Sequence, residues 1–255
     1  MSLRWSEVAQ PLRASTPAGT VIYAIGDVHG RCDLLAELHA GIAADLAQRA
    51  APRSVLIYLG DYISRGVDSR RVVDLVRDQA PPATLKVTLR GNHEELLLRY
   101  LDGNFEGGRF WFDYDGVDVL ENYGVAVADR RTRDSRSLED LRQRFAAALP
   151  AEHLQFFRAL ATHHDEGGYR FVHAGVRPGV ALARQSAHDQ VWIRKPFLDC
   201  AEDLGAVVVH GHSIAAEPQL RHNRIGIDTG AFRSGVLSCV VLEDDRGAFL
   251  QAVAP

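Results

Sequence analysis

Five short segments of the 255-residue sequence place a glycine beside side chains that commonly bind metal ions or take part in catalysis. Each segment contributes a carboxylate, an imidazole or an amide, and each follows an apolar run. The segments are residues 26–30, 60–66, 91–94, 173–175 and 210–212. Glycine in such a segment lets the backbone turn tightly and approach a ligand. The pattern predicts that a ligand binds where these segments meet.

The available ligand groups favour a particular class of metal site. Oxygen and imidazole ligands without thiolate suit manganese, iron or zinc. The cysteines Cys32, Cys200 and Cys239 lack the short spacings of structural zinc sites or redox pairs, so we interpret them as reduced thiols. Two metal ions about 3.5 to 4 Å apart can share a hydroxide and hold a phosphate between them. The sequence therefore predicts a dinuclear site that hydrolyses phosphate esters.

The elements that must position these groups follow a repeated order in the first half of the chain. Apolar runs at residues 21–25, 55–59 and 85–89 read as strands, and each is followed by a loop and by apolar residues at helical spacing. Three such units predict a partly parallel sheet. Ligands bind at the carboxyl ends of the strands in such sheets, which is where the loops lie.

The second half of the chain is richer in strands. Helices are expected over residues 138–148 and 151–161. The predicted strands are residues 169–172, 206–209, 224–227, 236–242 and 248–253. The whole pattern predicts an α/β fold of two mixed β-sheets packed as a sandwich and flanked by helices. We expect one domain over residues 1–255.

Residues 104–137 interrupt this order and are interpreted as an insertion or cap. The aromatic side chains of this segment could line a substrate groove, stack on an adenine, or form a small core under a long loop; they are Phe105, Phe110, Trp111, Phe112 and Tyr114. Its arginines could recognise a phosphorylated partner, although a solvated charged loop is the commoner case; they are Arg130, Arg131, Arg133 and Arg136.

Composition limits the classes of partner. The hydrophobic share of 46% and the charged share of 24% are typical of soluble globular proteins. A formal charge of -4 gives no general attraction to nucleic acid. Residues 1–19 lack the apolar block of a secretory signal, and no apolar run is long enough to cross a bilayer. We therefore expect a cytoplasmic protein with neither nucleic acid nor membrane as a partner.

The order and spacing of the motifs resemble a known family. GDVHG at residues 26–30 is followed by GDY at 60–62, GNHE at 91–94, HAG at 173–175 and GHS at 211–213. This series resembles the phosphoprotein phosphatase (PPP) family of calcineurin-like metallophosphoesterases, in its bacterial and phage serine/threonine phosphatase branch. The resemblance extends over most of the chain, from about residue 22 to residue 228.

The resemblance implies a role for each matching residue. It implies two divalent metal ions, with manganese favoured and iron or zinc as alternatives. Asp61 would bridge them. The other implied ligands are Asp27 and His29 for the first metal, and Asn92, His173 and His212 for the second.

Three further residues have implied catalytic roles. His93 corresponds to the acid that protonates the departing oxygen, and Arg65 and Arg194 to the arginines that hold phosphate oxygens. A guanidinium group is suited to this because its planar fork matches two phosphate oxygens at once.

One position departs from the family pattern. Ser64 stands where the family normally has an aspartate that orients the acid histidine and keeps it protonated. Loss of that carboxylate is expected to weaken proton donation by His93, unless Glu94, Asp68 or another carboxylate replaces it. Phenolic and phosphoanhydride leaving groups need less protonation, so they would suffer less.

The remaining histidines receive simpler interpretations. His163 and His164 are expected at an exposed helix end, and His210 is expected in the core or behind the metal ligands. Four others are expected at the surface: His39, His153, His188 and His222.

Three functions are consistent with the sequence. The favoured one is a phosphatase for phosphoserine or phosphothreonine in proteins, with phosphotyrosine and small phosphoesters as further substrates. The alternative is a symmetrical dinucleoside polyphosphate hydrolase acting on diadenosine tetraphosphate. A metal-binding interaction module with impaired catalysis, suggested by Ser64, is the third.

Overall fold

The computed structural model describes residues 1–131 and 134–255. The strands are β1 Ser2–Glu7, β2 Thr20–Ile25, β3 Arg53–Tyr58, β4 Leu85–Thr88, β5 His163–Glu166, β6 Tyr169–Val172, β7 Val207–His210, β8 Gln219–Leu220, β9 Arg224–Gly226, β10 Val236–Glu243 and β11 Arg246–Val253. The helices are α1 Cys32–Gln48, α2 Ser69–Asp78, α3 Asn92–Leu101, α4 Phe105–Asp113, α5 Gly116–Asn122, α6 Ser135–Ala148, α7 Ala151–Ala159, α8 Ala187–Trp192, α9 Lys195–Leu198 and α10 Ala231–Ser234.

The strands form two mixed sheets. The larger has the order β1-β11-β10-β2-β3-β4, in which β2, β3 and β4 are parallel and the other neighbours antiparallel. The smaller has the order β5-β6-β7-β9-β8, with β6, β7 and β9 parallel. The predicted fold class, a sandwich of two mixed sheets flanked by helices, is therefore confirmed.

The core lies in layers on both sides of the larger sheet. Ile22 and Ile57 of that sheet pack with Phe171 and Val209 of the smaller one, which fills the space between the sheets. The alternate residues, such as Tyr23, belong to a second cluster shared with the helices. Both faces of β2 are covered in this way, so every residue of the strand is buried.

The sequence located most strands and missed three edge strands, β1, β5 and β8. All six residues of β1 are exposed, and the strand pairs with β11 at the edge of the larger sheet. The expectation that His163 and His164 lie at a helix end is wrong, because both belong to β5, which pairs antiparallel with β6. None of the three strands contains an apolar run, since a short edge strand need not be buried on both faces. Predicted helix 151–161 ends earlier, at residue 159.

The segment interpreted as an insertion begins with two helices, α4 and α5. The side chain of Asn104 caps α4 by accepting a hydrogen bond from the backbone N–H of Gly107. Trp111 and Phe112 are buried in the helical core, whereas Phe110 and Tyr114 are exposed. The small-core interpretation therefore holds for Trp111 and Phe112, and a role in substrate binding stays a prediction for Phe110 and Tyr114. Arg133 of the arginine cluster lies outside the described residues.

Two histidines expected at the surface are buried. His39 Nε2 lies 2.8 Å from the hydroxyl of Tyr58, and His153 Nδ1 lies 2.8 Å from the hydroxyl of Tyr123. A hydrogen-bonded partner makes the burial of a polar ring tolerable, and neither partner is a sequence neighbour. His188 and His222 are exposed and His210 is buried, as expected. In the described part of the chain, no helix combines the length and apolarity needed to span a membrane.

Candidate metal centre

The five predicted loops meet at one edge of the sandwich. They follow β2, β3 and β4 of the larger sheet and β6 and β7 of the smaller one. The backbone there takes left-handed conformations at several non-glycine residues, including His29, Asp61 and His212, with φ between 45° and 62°. Such conformations are uncommon outside glycine and concentrate at functional sites, where the surrounding structure holds them.

Two glycines permit close approaches to carboxylates of the site. A Cβ atom on Gly91 would lie 2.1 Å from Oδ1 of Asp61, and one on Gly211 would lie 2.0 Å from Oδ1 of Asp27. Both distances are far inside van der Waals contact, and both partners are carboxylates of the site. These positions therefore require glycine.

Asp61 lies at the centre of the arrangement. Its Oδ2 atom is 3.4 Å from Nε2 of His29 and 3.4 Å from Nε2 of His173. The latter nitrogen is also 3.0 Å from Oδ1 of Asn92. Two groups of potential ligands share Asp61, one with His29 and His93 and the other with His173 and His212, and the ligand atoms of each group lie within 4.8 Å of one another.

The ligand candidates surround a cavity of about 250 Å³. Seven of the nine residues singled out in the sequence line it: Asp27, His29, Asp61, Arg65, Asn92, Arg194 and His212. Ile214 and Asp228 complete the lining. The other two, His93 and His173, belong to the ligand groups around Asp61. The structure thus brings all nine predicted site residues together. Asp27 accepts hydrogen bonds from the backbone N–H of His212.

The imidazoles present the nitrogen needed for metal binding. Nδ1 of His29 donates to the carbonyl of Ile63 at 2.9 Å, and Nδ1 of His173 donates to the carbonyl of Leu59 at 3.0 Å. These bonds leave the Nε2 lone pairs directed at Asp61. Burial lowers the pKa of His29 to about 3 and that of His173 to about 4, so both rings are neutral. Nε2 of His212 is buried without any hydrogen-bond partner in the described part of the chain.

Three buried carboxylates face one another in the cavity. Burial raises the pKa of Asp61 to about 7. The pKa of Asp27 is raised well above its ordinary value, mainly by burial and secondly by repulsion from Asp228. Burial also raises the pKa of Asp228. Buried carboxylates close together favour a bound cation. Together with neutral imidazoles and an unpartnered nitrogen, they form a ligand set that fits two divalent metal ions.

Glu94 has a structural position that the sequence did not indicate. Its fully buried carboxylate accepts hydrogen bonds from four backbone N–H groups at the end of β3 and before α3: those of Asp61 at 2.9 Å, Tyr62 at 2.9 Å, Ile63 at 3.3 Å and Gly91 at 3.0 Å. Burial raises the pKa of Glu94, and the donors oppose that rise because they stabilise the anion. This side chain holds the Asp61 loop and the Asn92 loop together.

The imidazole of His93 has no carboxylate partner among the described residues. Its Nδ1 atom is buried and makes no hydrogen bond there. The carboxylate of Glu94 already accepts hydrogen bonds from backbone N–H groups of the two loops. Asp68 caps α2 by accepting a hydrogen bond from the backbone N–H of Arg71. Ser64 is fully buried, and its hydroxyl accepts a hydrogen bond of 3.3 Å from the indole N–H of Trp111. Neither candidate carboxylate therefore replaces the missing aspartate.

The two arginines are held by different contacts. The guanidinium of Arg65 stacks over the ring of Phe232, 4.8 Å from its centroid. Arg194 donates to the carbonyl of His212 at 3.0 Å. Both line the cavity, where they would neutralise an anionic ligand.

Comparison with known proteins identifies the family. Residues 20–216 match the family model described as calcineurin-like phosphoesterase. The chain belongs to this family. It is 24% identical over 225 residues to an asymmetrical bis(5'-nucleosyl)-tetraphosphatase, PrpE, of Oceanobacillus iheyensis, covering 81% of this chain and 82% of that relative. It is 31% identical over 163 residues to a symmetrical bis(5'-nucleosyl)-tetraphosphatase of Dechloromonas aromatica, covering 64% of this chain and 46% of that protein.

A similar fold occurs in solved structures. The cold-active protein-tyrosine phosphatase of a psychrophile, Shewanella sp., superposes with a TM-score of 0.55 at 16% identity, covering 94% of this chain and 86% of that one. At this identity the likeness concerns the fold alone. The chain is thus a metallophosphoesterase and a hydrolase by family, with candidate ligands for a dinuclear metal site in place.

Sequence reasoning missed Asp228 and Phe232 as components of the site. Asp228 follows the apolar end of β9, and its Oδ1 accepts from the backbone N–H of Gly230. The signal for Asp228 was the same one that located the other loops, a carboxylate after an apolar run and before a glycine. Phe232 carried no such signal, because its contact with Arg65 joins residues far apart in the sequence.

Proposed function

We propose that this chain hydrolyses a phosphoanhydride bond of a dinucleoside polyphosphate such as diadenosine tetraphosphate. The observation that carries the proposal is the buried Nδ1 atom of His93, which has no carboxylate partner in the described chain. Relatives named as tetraphosphatases support it, because one of them matches over most of both chains. The sequence alone favoured phosphoserine and phosphothreonine as substrates.

The metal ligands would divide into two sets around Asp61. Asp27 and His29 would hold one ion, and the second set consists of Asn92, His173 and His212. When bound, the two ions would polarise a phosphoryl oxygen and lower the pKa of a water molecule enough to make it a nucleophile. Manganese, iron and zinc all suit these ligands.

The protein's own side chains then bind phosphate and assist departure of the leaving group. Arg65 and Arg194 each offer a planar set of N–H donors to the phosphoryl oxygens. His93 donates a proton to the departing oxygen. Without an anionic partner on Nδ1, its imidazolium form is less favoured, so proton donation is weak.

The weak acid selects substrates by leaving group. A departing nucleotide leaves through a phosphate whose second pKa is about 6, so it needs no proton at neutral pH. A phenolate has a pKa of about 10 and needs more assistance. A serine or threonine alkoxide is more basic still and depends most on protonation. The same argument makes phosphotyrosine the second candidate substrate, ahead of phosphoserine.

A direct comparison of substrates tests this order. The protein is stripped with a chelator and restored with manganese, and turnover is measured on diadenosine tetraphosphate, a phosphotyrosine peptide and a phosphoserine peptide. We expect the dinucleotide to be hydrolysed fastest, and its products distinguish symmetrical cleavage to two ADP from asymmetrical cleavage to ATP and AMP. Faster hydrolysis of the phosphoserine peptide would contradict the proposal. Two bound metals without turnover of any substrate would favour the interaction module.

A further inference from the structure

Four aromatic side chains form a continuous strip on the protein surface. Along this aromatic strip, His188 stacks on Trp192 with a centroid distance of 6.2 Å and an interplanar angle of 25°, Trp192 lies 6.0 Å from Phe110, and Phe110 lies 4.8 Å from Tyr114. Phe110 is 43% exposed and Tyr114 is 42% exposed. Large aromatic rings exposed side by side mark an interaction site.

One end of the aromatic strip is joined to the metal cavity through α8. The backbone N–H of Ala174, the residue after His173, donates to the carbonyl of Gln190 in α8 at 2.8 Å. Trp192 also precedes Arg194 by two residues, and both His212 and Arg194 line the cavity. Arg194 of the cavity and Trp192 of the strip thus belong to one short stretch of chain.

The other half of the strip is joined to the cavity through α4. Trp111, the residue after Phe110, hydrogen-bonds the hydroxyl of Ser64, and Arg65 follows Ser64 in the loop. Helix α4 thus directs Trp111 inward to the loop of Arg65, while Phe110 contacts Trp192, two residues before Arg194. The aromatic strip lies between the two segments that carry Arg65 and Arg194.

The helix that carries the strip is held firmly. Trp111 packs against Tyr100 and Phe145, with centroids 5.9 and 6.4 Å apart. Gly108 and Gly116 allow this packing, because a Cβ atom on either would come within 2.5 Å of an aromatic ring of the core. An exposed ring on a rigid helix loses little freedom when a ligand stacks on it.

We propose that the aromatic strip binds the purine base of the nucleotide whose phosphate is held by Arg65 and Arg194. This assignment rests on the proposed function. The strip offers uncharged ring faces for stacking, and the adjoining arginines offer positive charge for phosphate, which together match the two parts of a nucleotide. Base stacking on aromatic side chains accepts any base, so adenine and guanine nucleotides are both suitable ligands.

The test compares two ligands that differ in the base. Calorimetry measures binding of AMP and of ribose 5-phosphate to the manganese-loaded protein, in the wild type and in Phe110→Ala. Phe110→Leu keeps an apolar side chain without an aromatic face and guards against a loss of folding. Trp5→Ala is the matched control, because Trp5 is an aromatic residue of 44% exposure on the edge strand β1.

We expect the wild type to bind AMP about tenfold more tightly than ribose 5-phosphate, which is within the range measured for stacking of one base. Both Phe110 variants should lose most of this preference, and Trp5→Ala should keep it. Equal binding of the two ligands by the wild type would overturn the proposal. So would a preference for AMP that survives in both Phe110 variants.

The outcome is independent of whether the dinucleotide is hydrolysed. A preference for AMP that depends on Phe110 supports the base site even if diadenosine tetraphosphate is not turned over, in which case the proposed function alone fails. If Phe110→Ala instead raises KM for a phosphopeptide and leaves AMP binding unchanged, the strip is a peptide-binding surface and the base site is refuted.

Discussion

The buried carboxylate of Glu94 holds the Asp61 loop in place, and its replacement by glutamine tests how much the site depends on it. Each carboxylate oxygen accepts two backbone N–H groups. The Glu94→Gln substitution replaces one oxygen with an amide NH2 group that donates instead of accepting. Two buried N–H groups then lose their acceptor and face another donor.

The expected cost follows from those two groups. Leaving a buried donor unsatisfied costs about 1 to 3 kcal/mol, so the two together cost roughly 2 to 6 kcal/mol. We expect about 3 kcal/mol because the loop can relax partly, and this corresponds to a Tm lowered by about 6 to 12 °C in a protein of this size. Asp61 is itself held through this clamp, so manganese binding should weaken as well.

The assay is urea and thermal unfolding of chelator-treated protein at neutral pH, followed by calorimetric titration with manganese. Glu95→Gln is the matched control, because Glu95 is the next residue of the same helix and forms an ion pair with the exposed Arg99. A surface ion pair contributes about 0 to 1 kcal/mol, so this variant should unfold almost as the wild type does. If Glu94→Gln were as stable as Glu95→Gln, the four hydrogen bonds would not be holding the loop, and the reasoning would be wrong.

Three further predictions follow from the same structure. Ser64→Asp should supply His93 with the missing charged partner and raise turnover of a phosphoserine peptide by about 10- to 100-fold, with a smaller effect on diadenosine tetraphosphate; an unchanged peptide rate would contradict this. Burial lowers the pKa of His39 to about 4 in the folded protein, whereas its pKa in the unfolded chain is about 6.5. The unfolded chain therefore takes up this proton first, and about 3 kcal/mol of the free energy of unfolding is lost as the pH falls from 6.5 to 4. His39→Gln should flatten that slope in urea unfolding, and the exposed control His222→Gln should not. Asp228→Asn should weaken manganese binding by about 10- to 100-fold in calorimetry without lowering Tm of the metal-free protein, because it removes a charge that faces the ligand set and that burial disfavours; unchanged affinity would separate Asp228 from the metals.

The sequence by itself determined the parts of this protein that depend on local order. Apolar runs of five residues located the strands before Asp27 and Asp61 within one or two residues, because burial on both faces of a parallel strand requires a continuous run. The motifs directly after these runs located the cavity-lining side chains, since the carboxyl ends of parallel strands share one edge.

Only the tertiary structure decided which groups contact one another across the chain. Glu94 lies beside His93 in the sequence yet binds the loop after β3, and the burial of His39 depends on Tyr58. The exposed edge strand β1 pairs with β11 at the opposite end of the chain. A periodic pattern reports which face of an element is buried, but it does not identify the partner on that face. Hydrogen bonds and stacking contacts between distant residues form only when the layers pack, so the partner of each polar group is a property of the folded chain.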